Sequence, residues 1–137
     1  MNVVIDSNVL FRALISQGNI FELLFNFDLN IFAPEILREE FSNNKEEISR
    51  KSKISPEEFD KLFLILVNRI NFVLLEEYQS FIPKAKLLLG SHEKDIEFVA
   101  LGLLKNAKVW TYEELLFKIG VGISTKEVAE ELRLNEE

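Results

Sequence analysis

Four carboxylates stand where the local sequence changes from one kind of element to another: Asp6, Glu40, Asp95 and Glu113. Their donors are all oxygen. Oxygen-only ligation suits hard divalent cations such as Mg²⁺ or Mn²⁺ rather than zinc. A cation held this way lowers the pKa of water and neutralises charge on a phosphate, so metal-assisted hydrolysis of a phosphodiester is within reach of such a set.

Each acid also has a plainer reading. Asp6 follows the apolar run Val3–Val4–Ile5 and precedes a helical pattern, so it is either a ligand at a strand end or a helix N-cap. Glu39 and Glu40 are neighbours that a helix separates by roughly 100°. With Ile36, Leu37 and Phe41 defining the apolar side, Glu40 falls within that arc and Glu39 outside it. An inward acid must pair with something, so Glu40 is the ligand candidate and Glu39 a solvated acid. Asp95 opens an apolar helix, where the helix dipole alone favours a carboxylate. Thr111 and Glu114 fit a T-x-x-E capping box, which leaves Glu113 free for the crevice. Ser7 and Asn8, beside Asp6, are candidates to orient water or bind phosphate, with capping or turn duty as the alternative. His92, the only His, is a candidate for a catalytic role, with an exposed loop residue near a helix start as the plainer reading.

The elements that would position these acids alternate in type. Strands are expected at 2–6, 30–33, 71–75, 107–110 and 121–123. Helices are expected at 9–15, 20–25, from Pro34, from Ser55–Pro56 through Ile70, at 84–89, 95–105, from Thr111, and at 126–132. Ser55-Pro56-Glu57-Glu58 is a strong start signal, and Phe59, Leu62, Phe63, Leu66 and Ile70 then recur at helical spacing. Strands separated by helices imply a parallel sheet of four to five strands in a three-layer α/β/α arrangement. In such sheets the functional crevice lies at the carboxyl ends of the strands. All four acids should converge there.

Composition narrows the function further. The chain has 137 residues, of which 47% are hydrophobic and 28% charged, which fits one globular domain spanning 1–137. Without Cys it has neither disulfides nor thiolate metal sites. The N-terminus does not read as a secretory signal, and no apolar run approaches bilayer length; a cytoplasmic protein with no membrane partner is expected. Twelve Phe residues should supply much of the core. A net charge of −7 argues against a protein that coats nucleic acid, although carboxylates that hold cations inflate that figure. The cationic segment Lys45, Arg50, Lys51 and Lys53 reads as a solvated helical face, with contact to a nucleic-acid backbone as the alternative. No Gly-rich phosphate loop is present, and Asn8 stands where enzymes that form an aspartyl phosphate place a second Asp.

Taken together, VIDSNVL (4–10), APEILREEF (33–41), HEKDIEFVALGL (92–103) and VWTYEELL (109–116) resemble, in order and spacing, the four motifs of the PIN-domain family. The resemblance runs over nearly the whole chain. It implies a PIN-like fold and a VapC-like, Mg²⁺- or Mn²⁺-dependent endoribonuclease. Asp6, Glu40, Asp95 and Glu113 would be the catalytic and metal-binding residues, and RNA the substrate. It further implies an antitoxin partner, as for the toxin half of a toxin–antitoxin pair, and a homodimer. Two departures stand out: Glu113 replaces the usual Asp, and His92 stands where many relatives carry another acid. These departures and the net charge support a competing expectation, an inert PIN-like binding or regulatory protein.

Overall fold

The computed structural model describes residues 1–136. Five short strands, β1 (Asn2–Ile5), β2 (Asn30–Pro34), β3 (Asn71–Val73), β4 (Lys108–Trp110) and β5 (Gly122–Ile123), form one parallel sheet in the order β3-β2-β1-β4-β5. The helices are α1 (Ser7–Ser16), α2 (Asn19–Leu24), α3 (Glu35–Asn43), α4 (Lys45–Lys51), α5 (Pro56–Arg69), α6 (Leu75–Tyr78), α7 (Ile82–Leu89), α8 (Ile96–Lys105), α9 (Glu114–Lys118) and α10 (Thr125–Glu136). They flank the sheet in the expected three-layer α/β/α arrangement.

The central strand explains itself. Val3, Val4 and Ile5 are fully buried, as a strand covered on both faces must be. The order reverses at β1, whose two neighbours are β2 and β4. A crevice therefore opens at the carboxyl ends of β1 and β4. Helix α8 packs on β1, β2 and β4 and buries Phe98, Val99, Ala100, Leu101 and Gly102, which accounts for its two apolar sides.

Local signals place most boundaries within a residue or two. Ser55 accepts a hydrogen bond from the Glu58 amide at 3.2 Å and Pro56 opens α5. Gly90 ends α7 at φ +61°. Several details differ from expectation. The strand expected at 71–75 ends at Val73, and Leu75 opens α6 instead. Pro34 closes β2 and caps α3 rather than starting it. Ile36 is 40% exposed, so the apolar side of α3 is carried by Leu37 and Phe41. Of the twelve Phe residues only Phe41, Phe59 and Phe98 are buried, while Phe27 and Phe117 are exposed; most of the rings pack around a core of aliphatic residues.

Gly102 sets how closely α8 can approach the turn into β4. A β-carbon there would lie 2.8 Å from the Ala107 carbonyl oxygen, a backbone atom. Gly102→Ala should therefore push β4 away from α8, costing about 1–3 kcal/mol. Thermal unfolding at or above the wild-type temperature would contradict this close approach.

Candidate metal centre

Strand register brings the first two site residues together. Ile5 pairs with Trp110 across β1 and β4, so the next residue on each strand, Asp6 and Thr111, emerges at the same edge. The Asp6 amide donates to the Trp110 carbonyl at 3.0 Å. The Thr111 hydroxyl donates to Asp6 Oδ2 at 2.8 Å and accepts from the Glu113 amide at 3.0 Å. Thr111 is fully buried. It thus orients Asp6 and fixes the backbone that carries Glu113.

This corrects the capping box expected at Thr111. Glu113, not Thr111, occupies the N-cap of α9, and Glu114 lies exposed beside Lys118. The N-cap reading of Asp6 fails as well. Asp6 holds the N-cap position of α1, but its side chain makes no capping hydrogen bond. Its carboxylate is buried at the sheet edge instead.

Asp95 arrives from the other side of the crevice. It closes a 3-10 turn, Glu93–Asp95, and occupies the N-cap of α8 without capping it through its side chain. It is 3% exposed. A ring nitrogen of His92 lies 2.6 Å from Asp95 Oδ2, and the Lys94 ammonium pairs with Glu113 Oε1. One potential ligand atom each from His92, Asp95 and Glu113 fall within 4.8 Å of one another. His92 is a loop residue, as read, but it is partly buried and turned onto Asp95 rather than exposed. Lys94 is a site residue that no sequence pattern singled out. Its i−1 position to a buried acid was the only signal.

Glu40 is held further out. Its neighbour Glu39 is exposed, as the helical arc requires, while Glu40 is half-buried and accepts a 2.9 Å hydrogen bond from Ser7 Oγ. Neither Glu40 nor Asp6 is part of the His92–Asp95–Glu113 group, although Asp6 lies close enough to feel the charges of Asp95 and Glu113. Ser7, the residue after Asp6, thus ties Glu40 to the start of α1. Asn8 is exposed at the start of α1.

The electrostatics fit a cation. Burial holds the Asp6 carboxyl above its ordinary range, and the nearby charges of Asp95 and Glu113 add to the effect. The Thr111 hydroxyl and the Ser7 amide oppose it without cancelling it. Three carboxylates with one flexible ammonium at the rim therefore form a site short of positive charge. Its donors are mainly oxygen, the chemistry that suits a divalent ion. A cavity of about 660 Å³ lined by Leu75, Ile82 and Ile96 contains none of the four acids, so concavity and convergent charge point to different places on this protein.

The fold is that of a parallel α/β/α domain, with buried acids at the switch point where such sheets bind their ligands. The chain belongs to the PIN-domain family, whose model matches residues 4–133. Among solved structures it is similar to a chain of VapBC2 from Rickettsia felis, crystallised bound to a DNA fragment from their promoter. The TM-score is 0.64 at 16% identity, over 90% of this chain and 97% of that one. That likeness is one of fold. Comparison with curated proteins gives no match. Among the described residues no helix is long and apolar enough to cross a membrane.

Proposed function

We propose that the protein is a divalent-metal-dependent endoribonuclease, a single domain acting as the toxin of a toxin–antitoxin pair. The observation that carries this reading is the grouping of Asp95 and Glu113 beside Asp6, whose charge both of them oppose at the β1–β4 edge. Family membership supports it. The likeness in fold to a VapBC2 chain supports an antitoxin partner. RNA is the proposed substrate, Mg²⁺ or Mn²⁺ the proposed cofactor and a homodimer the proposed assembly.

Asp6, Asp95 and Glu113 would hold one cation, and Glu40 with Asp6 a second. When bound, the cation supplies Lewis acidity and a lowered pKa for water. The chain's own residues do the positioning. Thr111 keeps Asp6 aimed into the crevice, and Ser7 keeps Glu40 from swinging to solvent. Tyr112, exposed between Thr111 and Glu113, has the Arg12 guanidinium 5.6 Å from its ring centre. Such a pair suits an unstacked base and its phosphate. In the cationic segment, Lys45 and Lys51 already pair with Asp60 and Glu47 at 3.0 Å, which leaves Arg12, beside Tyr112, together with Arg50 and Lys53 as candidates for a backbone contact.

One observation favours a second reading. Lys94 already supplies a cation to Glu113, as it would in an inert PIN-like binding or regulatory protein. A labelled mixed-sequence RNA incubated with Mn²⁺, Mg²⁺ or EDTA separates the two. Metal-dependent cleavage that vanishes in an Asp6→Asn/Asp95→Asn double variant is expected. No cleavage, together with no metal binding by calorimetry, would leave the inert reading.

A further inference from the structure

We propose that His92 is a direct metal ligand, which makes the centre a mixed nitrogen–oxygen site that prefers transition cations over Mg²⁺. This rests on the metal-dependent reading above and adds to it the identity of the ligand set and its selectivity.

The geometry points that way. His92, Asp95 and Glu113 each offer one ligand atom, all within 4.8 Å of one another. Two metal–ligand bonds of about 2.1 Å span ~3 Å when adjacent and ~4 Å when opposed, so a cation at this point needs only small side-chain shifts. The ring nitrogen and Asp95 Oδ2, at 2.6 Å, would open by a few tenths of an ångström. The His92 side chain is 27% exposed, yet its ring is turned onto a buried carboxylate.

The two cationic groups of this turn differ in what they can do when a cation enters. The Lys94 side chain is 60% exposed on a long flexible stem and can retreat into water. His92 is held on a short stem, its amide bonded to the Leu89 carbonyl at 3.1 Å. Lys94 therefore gives way, whereas the imidazole remains beside the incoming ion. Imidazole suits late first-row cations, while Mg²⁺ selects oxygen donors and keeps its waters. An acid in place of His92 would favour Mg²⁺; the imidazole shifts the balance towards Mn²⁺ and, more strongly, Zn²⁺.

The test uses the full chain, in which His92 is the only imidazole, so its resonances need no assignment. With labelled imidazole, bound Cd²⁺ should show through-bond coupling to one ring nitrogen, which a neighbour that is not a ligand cannot show. By calorimetry, His92→Gln should lose more Zn²⁺ affinity than the ~10–100-fold that loss of an outer-shell partner costs, while its Mg²⁺ affinity moves far less. His92→Asp should reverse the preference, binding Mg²⁺ better and Zn²⁺ worse than wild type. Unchanged Zn²⁺ affinity in both variants, with no coupling, would overturn the proposal and leave an oxygen-only centre intact. No divalent binding by the wild type would instead remove the metal-dependent reading itself, and this inference with it.

Discussion

Asp6→Asn should abolish metal-dependent RNA cleavage, by at least ~100-fold, and at the same time make the metal-free protein more stable. The two effects have one cause. Asp6 is buried, close to Asp95 and Glu113, and its carboxyl is held above the ordinary range, first by desolvation. An acid whose pKa is raised by folding binds more protons in the native state than in the unfolded one. Its contribution to stability is therefore lost as pH rises from the ordinary carboxylate range through the raised value. At neutral pH the charged Asp6 lowers stability, and the amide removes that cost while still able to accept from Thr111. Metal-free thermal unfolding should therefore be higher for Asp6→Asn at neutral pH, and the gap should close as pH falls below the carboxylate range. Saturating Mn²⁺ should raise the unfolding temperature of the wild type and not of the variant, since only a bound ligand stabilises the native state. A metal-free variant less stable than wild type at neutral pH would contradict the buried-charge account.

Thr111→Val should be nearly as damaging, although the residue touches neither metal nor substrate. The substitution keeps the shape and removes one hydroxyl. That hydroxyl donates to Asp6 Oδ2 and accepts from the Glu113 amide, and both partners would be left unsatisfied. A buried polar group without its partner costs about 1–3 kcal/mol, so a lower unfolding temperature is expected. Asp6 would also lose one of the interactions that favour its charged form, and cation binding would need a higher pH. Loss of a residue that orients a ligand costs about 10–100-fold in metal affinity or activity. Thr111→Ser should recover most of both losses, because the hydroxyl is what matters. Full activity in the Val variant, or failure of Ser to rescue it, would show that Thr111 only fills space.

Much of this protein was legible in one dimension because the signals are local. Strand and helix periods, the Ser55–Pro56 start and the Gly90 stop depend on residues a few positions apart. The division of labour between Glu39 and Glu40 follows from the helical turn alone, and Ser7 then secures the inward one. Alternation of strands with helices is enough to imply parallel pairing and a crevice at the carboxyl edge. The order of the four motifs carried the resemblance to PIN domains that the family match bears out.

What the chain did not reveal is which distant residues become neighbours. The bond between Thr111 and Asp6 joins positions 105 residues apart. It exists because β4 lies beside β1 in a particular register, and that choice is made by packing α8 against three strands at once. Locally, Thr111 looked like a cap for Glu114, since T-x-x-E is a short-range pattern; tertiary structure offered its hydroxyl a buried carboxylate instead. Asp6 looked like a cap for the same reason. His92 was noticed only as a departure from the family pattern and Lys94 not at all, because a turn has no periodicity; only the docking of α8 decides that both face Asp95 and Glu113. Sequence determined where the charges sit along the chain, because caps and periods are local. Tertiary structure decided which of them share a site and what holds each in place, because a buried charge is tolerated only where distant partners meet it.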